Sequence, residues 1–216
     1  MKTTSSPLAL PFFIFFFVVA LFAFSGAEYV RDTDGHLVPL GGTYYLKAQE
    51  IEGAAVAGVT ITNPDGSCSL GVVELLNNNG NPVRLNSPLR STYITTEQAL
   101  EISFNPLPAN TCTKHPEWIV VEDIDFEHVA VMAGDPSEYD YPISGWFQIR
   151  TYNANKHYYT LIFCTGQYNC GLVGLKNDRE GNTRLVYNTD PLAKPFVVKL
   201  VKSTSDNVAT NISMVL

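Results

Sequence analysis

Apolar and polar positions alternate in short runs along residues 28–216 and rarely follow the 3.6-residue period of an amphipathic helix. The runs are rich in β-branched and aromatic residues, and clusters of Gly, Pro, Asn and Asp separate them. We expect strands at Tyr44–Ala48, Gly58–Thr62, Gly71–Leu75, Pro82–Asn86, Ser91–Thr96, Leu100–Phe104, Trp118–Asp123, His128–Ala133, Trp146–Tyr152, Tyr158–Phe163, Leu172–Lys176, Arg184–Tyr187 and Phe196–Val201. About a dozen short strands predict an all-β barrel or sandwich.

The first 27 residues have a different pattern, with Lys2 before a nearly unbroken apolar run from Leu8 to Phe24. Small residues at positions 25–27 then precede Glu28, as at the cleavage site of a secretory signal peptide. The alternative is a membrane anchor, but the run is barely long enough to cross a bilayer. We therefore expect residues 1–27 to be removed, leaving residues 28–216 as a single domain. The mature protein would be secreted to the extracellular space or delivered to the vacuole.

Charge and cysteine content narrow the function classes. The net charge is −7, or −8 without residues 1–27, and no Lys/Arg cluster occurs, which argues against nucleic acid and anionic membranes as partners. The four cysteines Cys68, Cys112, Cys164 and Cys170 indicate two disulfides in a secreted chain, with three possible pairings. No C-x-x-C motif occurs, so we expect no metal site.

One sequence similarity within the chain favours a repeat architecture. Gly80-Asn81 followed by Arg84-Leu85 recurs as Gly181-Asn182 followed by Arg184-Leu185. The spacing fits the first and third units of a three-fold repeat, although Gly-Asn turns are common and a sandwich stays open.

Four segments together resemble the Kunitz-type soybean trypsin inhibitor family. They are the opening VRDTDGHLVPLGGTYYL (30–46), EWIVVED (117–123), GWF (145–147) and YTLIFC (159–164). The resemblance implies a β-trefoil of about twelve short strands and the sequential disulfides Cys68–Cys112 and Cys164–Cys170. It also implies an inhibitor, not an enzyme, with no cofactor; we expect a monomer. Taken singly, Trp118, Trp146 and Tyr44-Tyr45 are best read as barrel or cap residues, and Asp32 as a turn former.

The segment Asn86-Ser87-Pro88-Leu89-Arg90-Ser91-Thr92-Tyr93 matches the reactive loop of that family. The match makes Arg90 the primary specificity residue and Arg90–Ser91 the reactive bond. An arginine can meet the Asp at the base of a trypsin-like pocket through two charge-assisted hydrogen bonds. Pro88 fixes one φ angle and favours an extended Ser87, so a stiff loop would lose little entropy on docking. The expected partner is a trypsin-like serine protease.

One position departs from the family pattern. Inhibitory members usually have an Asn behind the loop, where this chain has Leu40, whose side chain cannot form hydrogen bonds. Ser91 is also small and polar where an aliphatic residue is often found. Two alternatives therefore stay open: a non-inhibitory storage or binding protein on the same fold, and an inhibitor of cysteine or aspartic proteases acting through another loop.

Other candidate chemistry is weaker. The four histidines lack H-E-x-x-H spacing, and no G-x-S-x-G or Walker motif occurs, so nothing favours an enzyme. Asp123, Asp125 and Glu127 alternate with apolar residues and are interpreted as one polar strand face. Asn211-Ile212-Ser213 is a possible N-glycosylation site.

Overall fold

The computed structural model describes residues 26–48, 57–63, 70–109, 111–189 and 194–203. Thirteen strands lie within these ranges, with two short 3₁₀ turns at Pro136–Glu138 and Ala154–Lys156. The strands are β1 (Thr43–Ala48), β2 (Ala57–Thr62), β3 (Gly71–Leu76), β4 (Val83–Asn86), β5 (Glu101–Phe104), β6 (Trp118–Asp123), β7 (His128–Ala133), β8 (Pro142–Ile143), β9 (Trp146–Asn153), β10 (Tyr158–Gly166), β11 (Asn169–Asn177), β12 (Thr183–Asn188) and β13 (Val197–Lys202).

Six of these strands close into a barrel. Antiparallel pairing runs from β5 to β4, β1, β13, β10 and β9. The ring closes where Leu100, just before β5, pairs with Phe147 in β9. Their backbones exchange hydrogen bonds of 2.8 and 3.0 Å. A closed barrel leaves no unpaired edge between these strands.

Three hairpins, β2–β3, β6–β7 and β11–β12, cover one end of the barrel and are called the cap below. Their inner strands β3, β7 and β12 pair with one another through Gly71 with Met132, Arg184 with Val73, and Val186 with Ala130. A barrel strand, a cap hairpin and a second barrel strand thus repeat three times along the chain. This is the expected β-trefoil.

Every second side chain of the barrel strands faces inward, and these side chains fill the barrel. In β4, Val83 and Leu85 are fully buried whereas Arg84 between them is exposed, as the two-residue period of a strand requires. Aromatic rings then pack together inside the second repeat, between β5, β6 and β9. The Trp118 ring lies 5.5 Å from Phe104 and 6.1 Å from Phe147, distances at which tilted and edge-to-face pairs attract.

An ion pair between a buried arginine and a partly exposed aspartate, 17% exposed, lies within the cap. The Arg184 side chain is 3% exposed and donates to Asp123 Oδ2 at 2.7 Å. Its guanidinium carbon lies 4.3 Å from the centre of the Phe126 ring. Because Arg184 belongs to β12 and Asp123 ends β6, this pair ties two cap hairpins together.

The two similar segments at Gly80 and Gly181 do not occupy equivalent positions in the fold. Gly80 and Gly181 both adopt left-handed backbone, with φ of 72° and 86°, so each glycine suits its turn. However, Gly80 precedes β4, a barrel strand, whereas Gly181 precedes β12, a cap strand. The repeat interpretation of these two segments was wrong, although the three-fold architecture is confirmed.

One expected strand and one expected strand face differ from the structure. Residues 91–96 form only isolated bridges, at Tyr93 and Thr95, because their partners Pro39 and Tyr29 lie in irregular segments. Asp123–Glu127 is not a strand face: β6 ends at Asp123, whose side chain accepts from the Phe126 N–H at 3.0 Å, and Glu127 has a φ of 59°. This polar run therefore makes the β6–β7 turn.

The disulfide Cys164–Cys170 joins β10 to β11, as expected. Cys112 is also disulfide-bonded, and its expected partner Cys68 lies outside the described residues. Residues 1–25 of the expected signal peptide and the Asn211 sequon lie outside them too. Among the described residues, no helix has the length and apolar character needed to cross a membrane.

Candidate functional site

The loop that carries Arg90 leaves the barrel at the end away from the cap. β1 leads into the cap hairpin β2–β3 and β4 leads back out, so the segment after Asn86 emerges at the open end. Pro88, Leu89, Arg90, Ser91 and Thr92 are all exposed. Arg90 makes no side-chain hydrogen bond or ion pair with any described residue, and the residue is exposed.

The segment before Arg90 is held through Ser87. The Ser87 hydroxyl donates to the carbonyl oxygen of Ala99 at 2.7 Å and accepts from the Leu89 N–H at 3.1 Å. One side chain thus fixes the bend around Pro88 and attaches it to the chain entering β5. The Pro88 ring adds a fixed φ angle between these two contacts.

The segment after Arg90 rests against the N-terminal part of the chain. The Leu40 N–H donates to the carbonyl oxygen of Thr92 at 3.0 Å, and the Ile94 N–H donates to Val38 at 2.9 Å. Val38 and Ile94 are fully buried, which anchors this pairing in the core. The leaving side of the loop therefore has backbone support that does not depend on a polar side chain at position 40.

Leu40 itself packs against the main hydrophobic core and is half-buried. Its side chain supplies no hydrogen bond to the loop, as the sequence predicted. Its backbone N–H still reaches Thr92, so the substitution removes a side-chain contact without detaching the segment.

A polar side chain that the sequence analysis missed lies directly behind the loop. Gln98 is 7% exposed, and its Nε2 donates to Ser91 Oγ at 3.1 Å. Its Oε1 accepts from the Thr95 N–H at 3.0 Å and the Thr95 hydroxyl at 3.3 Å. Nothing in the local pattern distinguishes this glutamine from a surface residue, because its contacts depend on how residues 91–98 fold back.

A group of side chains of the types that bind metal ions forms a structural turn. Oxygen or nitrogen atoms of Asp32, Asp34 and His36 come within 4.8 Å of one another. The buried Asp32 already accepts from the backbone N–H groups of Asp34 and His36, at 3.0 and 2.9 Å. These bonds confirm that Asp32 shapes the turn.

A buried tyrosine links the opening segment to the barrel. Tyr159 on β10 is 3% exposed, and its hydroxyl accepts from the Arg31 N–H at 2.8 Å. Burial raises the pKa of the Tyr159 phenol above its usual value, and the Arg31 hydrogen bond partly opposes that rise in pKa. Tyr159 therefore fixes the segment that runs behind the loop.

Comparison with known proteins gives one consistent result. The legume Kunitz family model, described as "Trypsin and protease inhibitor", matches residues 30–202. The chain is 34% identical to trypsin inhibitor DE-3 from Erythrina latissima, covering 81% of this chain and 98% of that protein. It is 35% identical to trypsin inhibitor 2 from Psophocarpus tetragonolobus, over 81% and 96% of the two chains.

Solved structures agree with the sequence matches. The soybean trypsin inhibitor in its complex with porcine pancreatic trypsin has 29% identity and a TM-score of 0.69, over 81% of this chain and 99% of that chain. Trypsin inhibitor 1 from Senna obtusifolia has 33% identity and a TM-score of 0.67, over 82% and 100%.

Proposed function

This chain belongs to the legume Kunitz family of trypsin and protease inhibitors, and we propose that it inhibits trypsin-like serine proteases through the bond Arg90–Ser91. The observation that carries the proposal is the exposed, unpaired Arg90 side chain on a loop held at both flanks. Ser87 attaches the preceding segment to Ala99, and Leu40 and Gln98 hold the following one.

Recognition would rest on the guanidinium. Trypsin-like proteases carry an Asp at the base of the specificity pocket. Arg90 can enter that pocket, place its stem against the apolar walls and donate two parallel hydrogen bonds to the carboxylate. Because no described residue of the inhibitor competes for the guanidinium, no internal ion pair has to break first.

Inhibition would follow from a reaction that runs in both directions. The protease serine attacks the Arg90 carbonyl, and the Arg90–Ser91 bond breaks to give an acyl-enzyme and a free Ser91 amine. A flexible substrate would lose this amine to solvent, and water would then hydrolyse the ester. In this chain the hydrogen bonds around Ser91 and Thr92 keep the amine close, so its attack on the ester re-forms the peptide bond.

The site would operate in an extracellular or vacuolar compartment. We infer removal of residues 1–27 and a mature chain of residues 28–216, in which oxidising conditions maintain the disulfide Cys164–Cys170. Detecting the mature N-terminus at Glu28 in protein isolated from its source would test this; an N-terminus still carrying residues 1–27 would contradict it.

A titration of active trypsin with disulfide-intact residues 28–216 tests the function. We expect loss of activity at about one-to-one stoichiometry, with Arg90→Ala weakening inhibition at least about 100-fold because two charge-assisted hydrogen bonds are lost. The matched control is Arg179→Ala, since Arg179 is an arginine with a side chain 79% exposed in the β11–β12 turn of the cap. Equal inhibition by the Arg90→Ala variant would reject the site. Inhibition of papain or pepsin, with none of trypsin, would instead support action through another loop.

A further inference from the structure

We propose that Gln98 is the positioning residue that holds Ser91 at the cleaved bond, which makes the loop an inhibitor instead of a substrate. The inference rests on the proposed function, because it concerns what happens to Ser91 after Arg90–Ser91 is cut. Gln98 acts through Ser91 and lies behind the loop.

The hydrogen bonds of Gln98 fix the orientation of its carboxamide. Oε1 faces the backbone N–H of Thr95, which can only donate, so this position requires the oxygen. The NH₂ group must therefore face Ser91 Oγ, at 3.1 Å. The amide cannot flip without placing two donors against each other at Thr95.

Gln98 is itself tied to the barrel. The N–H groups of its neighbours Glu97 and Leu100 donate to the carbonyl oxygens of Ile149 and Phe147 on β9, at 2.9 and 2.8 Å. The Gln98 side chain is buried, so few alternative rotamers are open to it. Ser91 is thereby connected through one ordered side chain to a barrel strand.

Both flanks of the reactive bond attach to the same short segment. Ser87, three residues before Arg90, donates to the carbonyl of Ala99, and Ser91, directly after Arg90, accepts from Gln98. Cutting between Arg90 and Ser91 breaks neither attachment. The two new chain ends would therefore stay tethered to adjacent residues, which keeps the effective concentration of the Ser91 amine high.

Loss of Gln98 should change the fate of the acyl-enzyme. Without the Nε2 contact, the Ser91 side chain and amine gain freedom in the cut state while Thr92 stays paired with Leu40. Resealing then slows relative to hydrolysis, and the variant is consumed by trypsin as a substrate. A residue that only stabilised the fold would leave the resealing equilibrium unchanged.

The test is a double-mutant cycle with Gln98→Ala, Ser91→Ala and the double variant. Two quantities are measured: the trypsin inhibition constant, and the ratio of intact to cut chain reached when cut inhibitor is incubated with catalytic trypsin. Gln167→Ala is the matched control, because Gln167 is an exposed glutamine in the β10–β11 turn. Thermal unfolding of each variant identifies losses due to folding alone.

We expect each single change to weaken inhibition and to lower the intact-to-cut ratio by up to about 10-fold, because the intact chain orders Ser91 even without this contact whereas the cut end depends on it. The double variant should be no worse than Gln98→Ala alone, because both changes remove the same contact. If Gln98→Ala fails to fold, Ser91→Ala gives the ratio with Gln98 and its Thr95 bonds still in place. Additive effects of the two changes, or an unchanged intact-to-cut ratio, would overturn the role of Gln98 and leave the proposed function in place. Failure of the unaltered chain to inhibit trypsin would overturn the proposed function and this inference together.

Discussion

The ion pair Arg184–Asp123 gives the sharpest stability prediction. Asp123→Ala removes the carboxylate that accepts from Arg184 at 2.7 Å and leaves the cation, 3% exposed, with no opposite charge bonded to it in the described structure. The remaining described contacts of the guanidinium are the Met132 sulfur at 3.1 Å and the Phe126 ring. A sulfur acceptor and a ring face only partly replace a carboxylate.

The magnitude follows from burial. Removing one partner of a buried ion pair costs about 3–5 kcal/mol, since the other charge stays desolvated. For a chain of this length, that loss lowers the melting temperature by about 6–20 °C. The matched control is again Arg179→Ala, which breaks the Arg179–Glu127 pair at 3.6 Å. Its side chains are 79% and 77% exposed, so this pair is worth about 0–1 kcal/mol.

Urea and thermal unfolding of the two variants, with disulfides intact, measure the difference. Trypsin inhibition by folded Asp123→Ala should equal that of the unaltered chain, because the cap lies at the opposite end of the barrel from Arg90. Equal unfolding free energies for the two variants would refute the view that Arg184 is a buried charge dependent on Asp123.

Two further predictions concern stability. Tyr159→Phe leaves the Arg31 N–H without its partner, at a cost of about 0.5–1.5 kcal/mol at neutral pH. Because the pKa of Tyr159 is raised in the fold, its contribution is complete below the unfolded pKa of about 10 and declines as pH rises through the folded pKa. Urea midpoints at pH 8–11 should thus fall more steeply for the unaltered chain than for Tyr159→Phe; parallel curves would contradict this. Replacing Cys164 and Cys170 by Ser should lower the unfolding free energy by about 2 kcal/mol, the entropy of a short closed loop, with trypsin inhibition retained. Loss of inhibition by the folded Ser variant would show that this hairpin contributes to the site.

Much of the fold follows from local sequence, since strand alternation needs no distant information. Val83 and Leu85 face the core on either side of exposed Arg84, as their pattern predicts. The repeat assignment based on Gly80 and Gly181 was wrong because a Gly-Asn turn reflects a left-handed backbone. Such a turn does not specify a position in the barrel. Turns recur wherever a chain reverses, so one shared turn carries little topological information.

Residues 91–96 and 123–127 show a second limit of predicting strands from the sequence. Both segments alternate like strands, yet neither finds a full partner strand. Tyr93 and Thr95 are matched to irregular chain at Pro39 and Tyr29, and Asp123 bonds to its own turn. Periodicity reports which residues could form a strand, whereas pairing depends on what the rest of the fold places beside them.

The candidate site likewise has a part that the sequence predicts and a part that only the structure shows. The family resemblance predicts Arg90–Ser91 as the reactive bond, and this stays a prediction. The Leu40 side chain, as expected from its chemistry, offers the loop no hydrogen bond. Gln98 could not be found from sequence, because its bonds to Ser91 and Thr95 form only when the chain folds back behind the loop. Support for a loop is a property of tertiary contacts, and different residues can supply it.

The most direct test of the account is to find which bond trypsin addresses. Disulfide-intact residues 28–216 would be incubated with a catalytic amount of trypsin, and the cut chain analysed by mass spectrometry and N-terminal sequencing. The account predicts one new N-terminus at Ser91, fragments that stay associated, and partial resealing by the same enzyme. A first cut at any other bond, or rapid digestion of the cut chain, would contradict it.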